Sequence, residues 1–191
     1  HLSRYDVYQR LMDYWAETMQ DDVYLIAADG WQEAAKPRGI IEDKEKKIKE
    51  TPDLTLGRKK YKMDIIPPAL IVARYFAKEQ AALDALQEQA DAAARELEEY
   101  IEEHSGEEGL LSDAANDKGK VTKGSVNYRL EEICKDKEFA DERAALQRWL
   151  ELIEAESVAG RAVKDAQTAL DEKVLARYAK VGEAEIKALV V

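Results

Sequence analysis

Apolar side chains recur along this chain mostly at helical spacing, with two short exceptions. From Arg4 to Gln20 the residues Tyr8, Leu11, Trp15 and Met19 fall on one face, which predicts an amphipathic helix. Val23-Tyr24-Leu25-Ile26-Ala27-Ala28 is a short β-rich run between Asp21-Asp22 and Asp29-Gly30, and it reads as a buried strand ending in a turn. Residues 34–56 are polar, carry two prolines and a Lys-Glu-Lys-Lys run, and read as a loop with one short helix. Tyr61, Met63 and Ile65 alternate with polar residues, so a second strand is expected there, paired with the first.

Beyond Pro67-Pro68 the pattern lengthens. Ala69, Val72, Phe76, Leu83, Leu86, Ala90, Ala93, Leu97 and Tyr100 keep the three-and-four spacing of a coiled-coil seam, broken only at Glu79. A helix over 68–104 would be roughly 50 Å long. Gly106, Gly109, Gly119 and Gly124 mark a tip, in which Thr122 or Ser125 caps a short helix. A second long helix is expected from near Asp136 to Lys180, with Leu146, Trp149, Ile153, Val163, Leu170 and Val174 as its apolar line. Two long helices joined by a modest tip fold back on each other. The expected fold is mainly α: a small α+β base (a helix plus a short β-hairpin, 1–67) carries a long antiparallel helical-hairpin, or coiled-coil, arm (68–191) with its tip near 105–135.

Charge sharpens this picture. The chain has 191 residues, 36% of them charged, and a formal net charge of −11, which argues against a surface that binds nucleic acid throughout. Residues 36–62 nevertheless hold ten Lys/Arg against five Asp/Glu. Within them Arg58, Lys59, Lys60 and Lys62 form a candidate contact for DNA or for an acidic partner, 58, 60 and 62 sharing one strand face. A single cysteine, Cys134, excludes an internal disulfide, and no apolar run is long enough to cross a membrane, so a cytoplasmic location without membrane partners is expected. A start at His1, inside a well-patterned stretch, reads as a piece of a longer protein.

Candidate chemistry is sparse. His1 and His104 lack the partners that a zinc site needs. No elbow nucleophile, Walker sequence or GxGxxG loop is present, and the acidic run 96–108 lacks the spacing of a calcium loop. Asp13 and Glu17 lie one helical turn apart, as a paired-carboxylate site would require, but so do solvated carboxylates on a polar helix face. The tyrosines and tryptophans around them are expected to fill a small core. No catalytic, cofactor-binding or metal-ligating residue is assigned.

The stretches "DVYQRLMDYWAETMQDDVYLIAADGW" (6–31), "KKYKMDIIPPALIVARYF" (59–76) and "GLLSDAANDKGKVTKGSV" (109–126), in this order and with a helical arm, resemble the C-terminal region of the modification (M) subunit of type I restriction–modification systems. The resemblance implies a parent enzyme that methylates adenine N6 in DNA with S-adenosylmethionine. Its partners would be a specificity (S) subunit and a second M subunit, a restriction subunit being able to join, with DNA held by the assembled complex. The family's Asn-Pro-Pro-aromatic motif positions a flipped adenine. Here "IIPPA" (65–69) keeps only the prolines, so no catalytic role carries over. The C-terminal helices of the family pack on helices of the S subunit, and Leu146, Trp149 and Ile153 form the candidate helix-docking surface, with Leu150 and Leu152 pointing to a third helix. Two other readings remain: a stand-alone coiled-coil adaptor or chaperone-like protein unrelated to DNA, and a small nucleic-acid-binding module acting through 36–62.

Overall fold

The computed structural model describes residues 3–40, 50–104, 106, 109–116, 119–136 and 138–190. It is mainly helical, with a small antiparallel sheet and a long helix pair that packs together. The Lys-Glu-Lys-Lys run lies outside the described residues. The chain divides into two compact units, one made of His1–Gln80 with Thr168–Val191, the other of Ala81–Gln167.

In the first unit, α1 (Arg4–Thr18) starts at a capping box in which Ser3 and Asp6 satisfy each other's backbone N–H groups. The expected strand at 23–28 is absent: α2 spans Gln20–Ala34 and absorbs it. Two physical reasons favour the helix. Asp21 and Asp22 fall in its first turn, where the helix dipole welcomes negative charge. Burial also follows the helical period, with Asp22, Leu25 and Ile26 half-buried while Val23, Tyr24, Ala27 and Ala28 stay exposed, whereas a buried strand would hide the whole run. Gly30 breaks the helical path with φ 78° and ψ 163°, a conformation glycine adopts without a Cβ penalty.

The sheet is built instead from β1 (Arg38–Gly39), β2 (Leu54–Leu56) and β3 (Lys59–Lys62), in the order β1-β3-β2 with both pairings antiparallel. Leu56 pairs with Lys59, leaving Gly57-Arg58 as a two-residue hairpin loop. Gly57 has φ 60°, which is what the first position of such a loop demands. Met63, Ile65 and Ile66 are buried just past the strand, before α3 (Pro68–Tyr75). The Tyr178 hydroxyl donates to the Ile66 carbonyl at 2.6 Å. Ile71, Leu170, Val174 and Ile186 are buried in the same unit, and α7 (Glu183–Val190) packs on α2.

The helix expected over 68–104 is interrupted at Phe76, whose φ of −129° ends α3 before α4 (Ala77–His104) begins. The second long helix, α6, spans Ala140–Tyr178. Most of the expected seam is shielded: Leu83 and Leu97 are buried, and Leu86, Ala90, Ala93 and Tyr100 are half-buried. In the second unit Arg148 pairs with Glu96 at 2.7 Å, and the Tyr100 hydroxyl donates to the Ala145 carbonyl at 3.0 Å. Partners descend along α6 as they ascend along α4, so the helices run antiparallel.

Between them the tip folds as a small core of its own. A 3-10 turn (Ser112–Ala114) precedes α5 (Lys123–Ile133), which Thr122 and Ser125 cap reciprocally. A side chain at Gly109 would strike the His104 carbonyl, so the return of the chain past the end of α4 needs glycine. Leu111, Ala114, Val126 and Ile133 join Leu97, Leu146, Trp149 and Leu152 in one buried cluster. Arg129 ties the tip to α6 through Glu142 at 2.7 Å and to the 3-10 turn through Asp113 at 3.3 Å, and its guanidinium lies 5.3 Å from the centre of the Phe139 ring. The hydrogen bonds to Glu142 push the Arg129 pKa further up.

Truncating this core should be costly. Leu146→Ala is expected to lose about 2–5 kcal/mol in chemical denaturation, because the packed cluster leaves a cavity in its place.

Candidate functional site

Two concavities stand out, one in each unit. In the first unit, Asp21, Asp22 and Leu25 of α2 face Arg38, Asp53, Lys62, Met63, Asp64 and Pro67 around a cradle of about 560 Å³. The register of the sheet creates it, since Arg38 pairs directly with Lys62 and so puts two cations side by side. Each is met by acid. Arg38 forks onto Asp64 at 3.0 and 3.1 Å and reaches Glu50 at 2.9 Å, while Lys62 binds Asp53 at 2.8 Å. Asp53 also accepts the Met63 N–H at 2.8 Å.

These contacts set the acidities. Burial pushes the Asp53 carboxyl up, but the hydrogen bonds from Lys62 and Met63 outweigh it and hold it below its ordinary range. Asp22 is driven the other way, by burial first and then by the charges of Asp21 and Asp64. Arg38 is raised by Asp64 and Glu50. The cations of the cradle are therefore committed to carboxylates. No group of three His, Cys, Asp or Glu among the described residues is placed to hold a metal ion.

Of the basic residues singled out in the sequence, Lys60 and Lys62 lie two apart on β3 and share one strand face. Arg58 sits in the hairpin turn, Lys59 and Lys60 lie on the exposed part of β3, and Lys62 turns into the cradle. Arg58 and Lys59 are exposed and have no ion-pair partner among the described residues. Asp13 accepts from Gln9 on the exposed polar side of α1, as solvated carboxylates do. The aromatic core expected around it is overturned. α1 buries no residue, and Tyr5, Tyr8, Tyr14 and Tyr24 are all exposed.

The expected docking surface also needs correction. Leu146 and Trp149 are only 0% and 1% exposed, and Ile153 packs against the same cluster. The apolar excess of α6 is covered by the chain's own tip, so the third helix is α5. What remains open in this unit is a groove of about 770 Å³ lined by Leu86, Leu150, Ala155, Val158, Ala159 and Ala162, with Gln89, Glu151 and Glu154 also in its lining. Val158 is 52% exposed. No sequence-local signal marks the cradle, because Arg38 and Asp64 are 26 positions apart. The groove did have a signal in Leu150, which lies off the seam.

Comparison with protein-family models, with curated proteins and with solved structures finds no match. No helix among the described residues is long and apolar enough to cross a membrane.

The opposed shifts in the cradle predict a pH signature. Asp22, raised in the fold, opposes folding while ionised, and that penalty vanishes as pH falls through its range. Asp22→Asn should therefore raise the melting temperature at neutral pH, and its advantage should shrink under acid. Asp53, lowered in the fold, stabilises above the ordinary carboxylate range, so Asp53→Asn should lower the melting temperature at neutral pH and converge with the parent under acid. Thermal unfolding monitored by circular dichroism across that window checks both signs.

Proposed function

We propose that this chain is the non-catalytic C-terminal region of a type I restriction–modification DNA adenine-N6 methyltransferase subunit, and that its work is assembly with the specificity subunit and with a second modification subunit around DNA. The parent enzyme would use S-adenosylmethionine in a part of the protein other than this one. The three resembling segments and their order support the reading. The observation that carries it is the open apolar groove along the second unit, with small residues Ala155, Ala159 and Ala162 that let another helix approach closely. On this reading the dock is the groove around Val158 rather than Leu146, Trp149 and Ile153.

DNA contact by the chain itself would fall to Arg58 and Lys59, the exposed cations of the hairpin. Binding of the isolated chain to duplex DNA is expected to be weak and to fall steeply with salt, and Arg58→Glu with Lys59→Glu should remove what remains. Fluorescence anisotropy at several salt concentrations reads this directly.

The deciding experiment is a pull-down of the cognate specificity subunit by the tagged chain. Capture is expected, and Ala155→Glu with Val158→Glu should weaken it roughly tenfold or more while leaving the far-ultraviolet spectrum unchanged. A parent chain that captures no specificity subunit would overturn the proposal and leave the stand-alone adaptor as the better reading.

A further inference from the structure

Where α3, the end of α6 and the start of α7 meet in the first unit, one carboxylate is held from three directions. Glu185 Oε1 accepts from the Tyr75 hydroxyl at 3.2 Å and from Arg177 Nη2 at 3.0 Å, and Glu185 Oε2 accepts from the Gly182 N–H at 3.2 Å. The first donor belongs to α3, the second to α6, and the third to the residue just before α7. The Arg177 guanidinium lies 4.1 Å from the centre of the Tyr75 ring, a cation–π contact that orients both donors. The reach of Glu185 back to Gly182 is half of a capping box and needs no further reason. Tyr75 is 110 positions away, so its donation is a product of the fold.

Two features exceed what a carboxylate uses. The first is charge. Arg74 is exposed and makes no ion pair of its own among the described residues, yet its charge reaches Glu185. Two guanidiniums therefore act on one monoanion, and the next acid of α7, Glu183, is tied to Lys187 at 2.6 Å. The Gly182 N–H first, with Arg177, Tyr75 and Arg74, outweighs burial and holds the Glu185 carboxyl below its ordinary range. The second feature is an orphan donor: Arg177 Nε is buried without a hydrogen-bond partner. Such a group is costly to leave unmet and calls for an acceptor.

An anion with more charge and more acceptors answers both. A phosphate monoester carries about −1.5 to −2 near neutral pH and presents three acceptor oxygens. Guanidinium forks match pairs of those oxygens, and an N–H at a helix start is where phosphates bind. A diester, with a single charge, offers no gain over the carboxylate already there. The place is also open to solvent, since the Glu185 side chain is 41% exposed.

The geometry points to a phosphate-binding seat made by Arg74, Tyr75, Arg177 and the Gly182 N–H, which Glu185 fills in the free chain. A dianionic phosphate, free or as a monoester, takes the place of Glu185. The carboxylate is thus an internal competitor, and it lowers the apparent affinity in proportion to its occupancy of the seat. The seat shares no residue with the groove or with the hairpin cations, so its test is independent of theirs.

Calorimetric titration of the chain with inorganic phosphate at low chloride reads the seat directly. The parent chain should bind weakly, and Glu185→Ala should bind about tenfold more tightly or better, with unchanged helix content. Glu185→Gln, which keeps an acceptor for Gly182, should tighten binding less. In the Glu185→Ala background, Arg177→Gln should cost about tenfold, and Arg74→Gln, with little packing to lose, should weaken binding too. Glycerol phosphate should match inorganic phosphate where a monoester is the source, and fall behind it where the free ion is. Dimethyl phosphate, singly charged like the DNA backbone, should bind far more weakly than either. A Glu185→Ala chain that binds phosphate no better than the parent overturns the inference. Binding indifferent to Arg74 and Arg177, or equal binding of dimethyl phosphate, does so as well.

Discussion

The second unit depends on one act of burial: α6 has more apolar surface than α4 alone can cover, and the chain's own tip covers the rest. Leu146, Trp149 and Leu152 are sealed by Leu111, Ala114, Val126 and Ile133 as well as by Leu97. An antiparallel helix pair has two open flanks, and closing one of them converts a simple hairpin into a locally three-layered core. The other details of the tip serve that closure. Glycine at 109 lets the chain pass the end of α4, the Thr122–Ser125 box starts α5 at the right place, and Arg129 fixes α5 against α6 by a fork to a nearly buried carboxylate. Such a pair stabilises little by itself because desolvation opposes it, but removing either partner would strand a charge.

The charge is divided along the same lines as the structure. Ala81–Gln167 holds 22 Asp/Glu against 11 Lys/Arg, whereas the other unit holds 18 of each. The whole formal charge of −11 thus belongs to the unit with the open groove. In the neutral unit, charges are gathered into short-range pairs around Arg38 and Lys62, which orient side chains rather than present a field. Electrostatics of the first kind acts over distance and steers partners, and of the second kind acts only on its neighbours.

Much of the fold was legible because it rests on local rules. The capping of α5 could be named from Thr122 and Ser125, and the long helices from a period sustained over many turns. The errors fall where local rules are neutral. Val23 to Ala28 carries β-rich side chains in a run too short for its period to decide, and the acidic first turn with half-burial on one face settled it as helix. The aromatic residues of α1 looked like core because aromatic residues usually are, and composition does not say which face finds a neighbour.

The candidate sites divide in the same way. Lys59 and Arg58 were legible as exposed cations, and Leu150 as apolar surplus, since both follow from position within one element. That Lys62 is held by Asp53, that Arg38 is clamped by Asp64, and that Trp149 is sealed rather than offered are facts of tertiary structure. Neighbours a few residues apart made α1, the two long helices, the cap of α5, the antiparallel arm and the uneven charge legible from the residues alone. Which apolar surfaces are covered came from the fold, because burial depends on which distant segment packs there at the lowest free energy, and nothing in a residue's own neighbourhood specifies that segment.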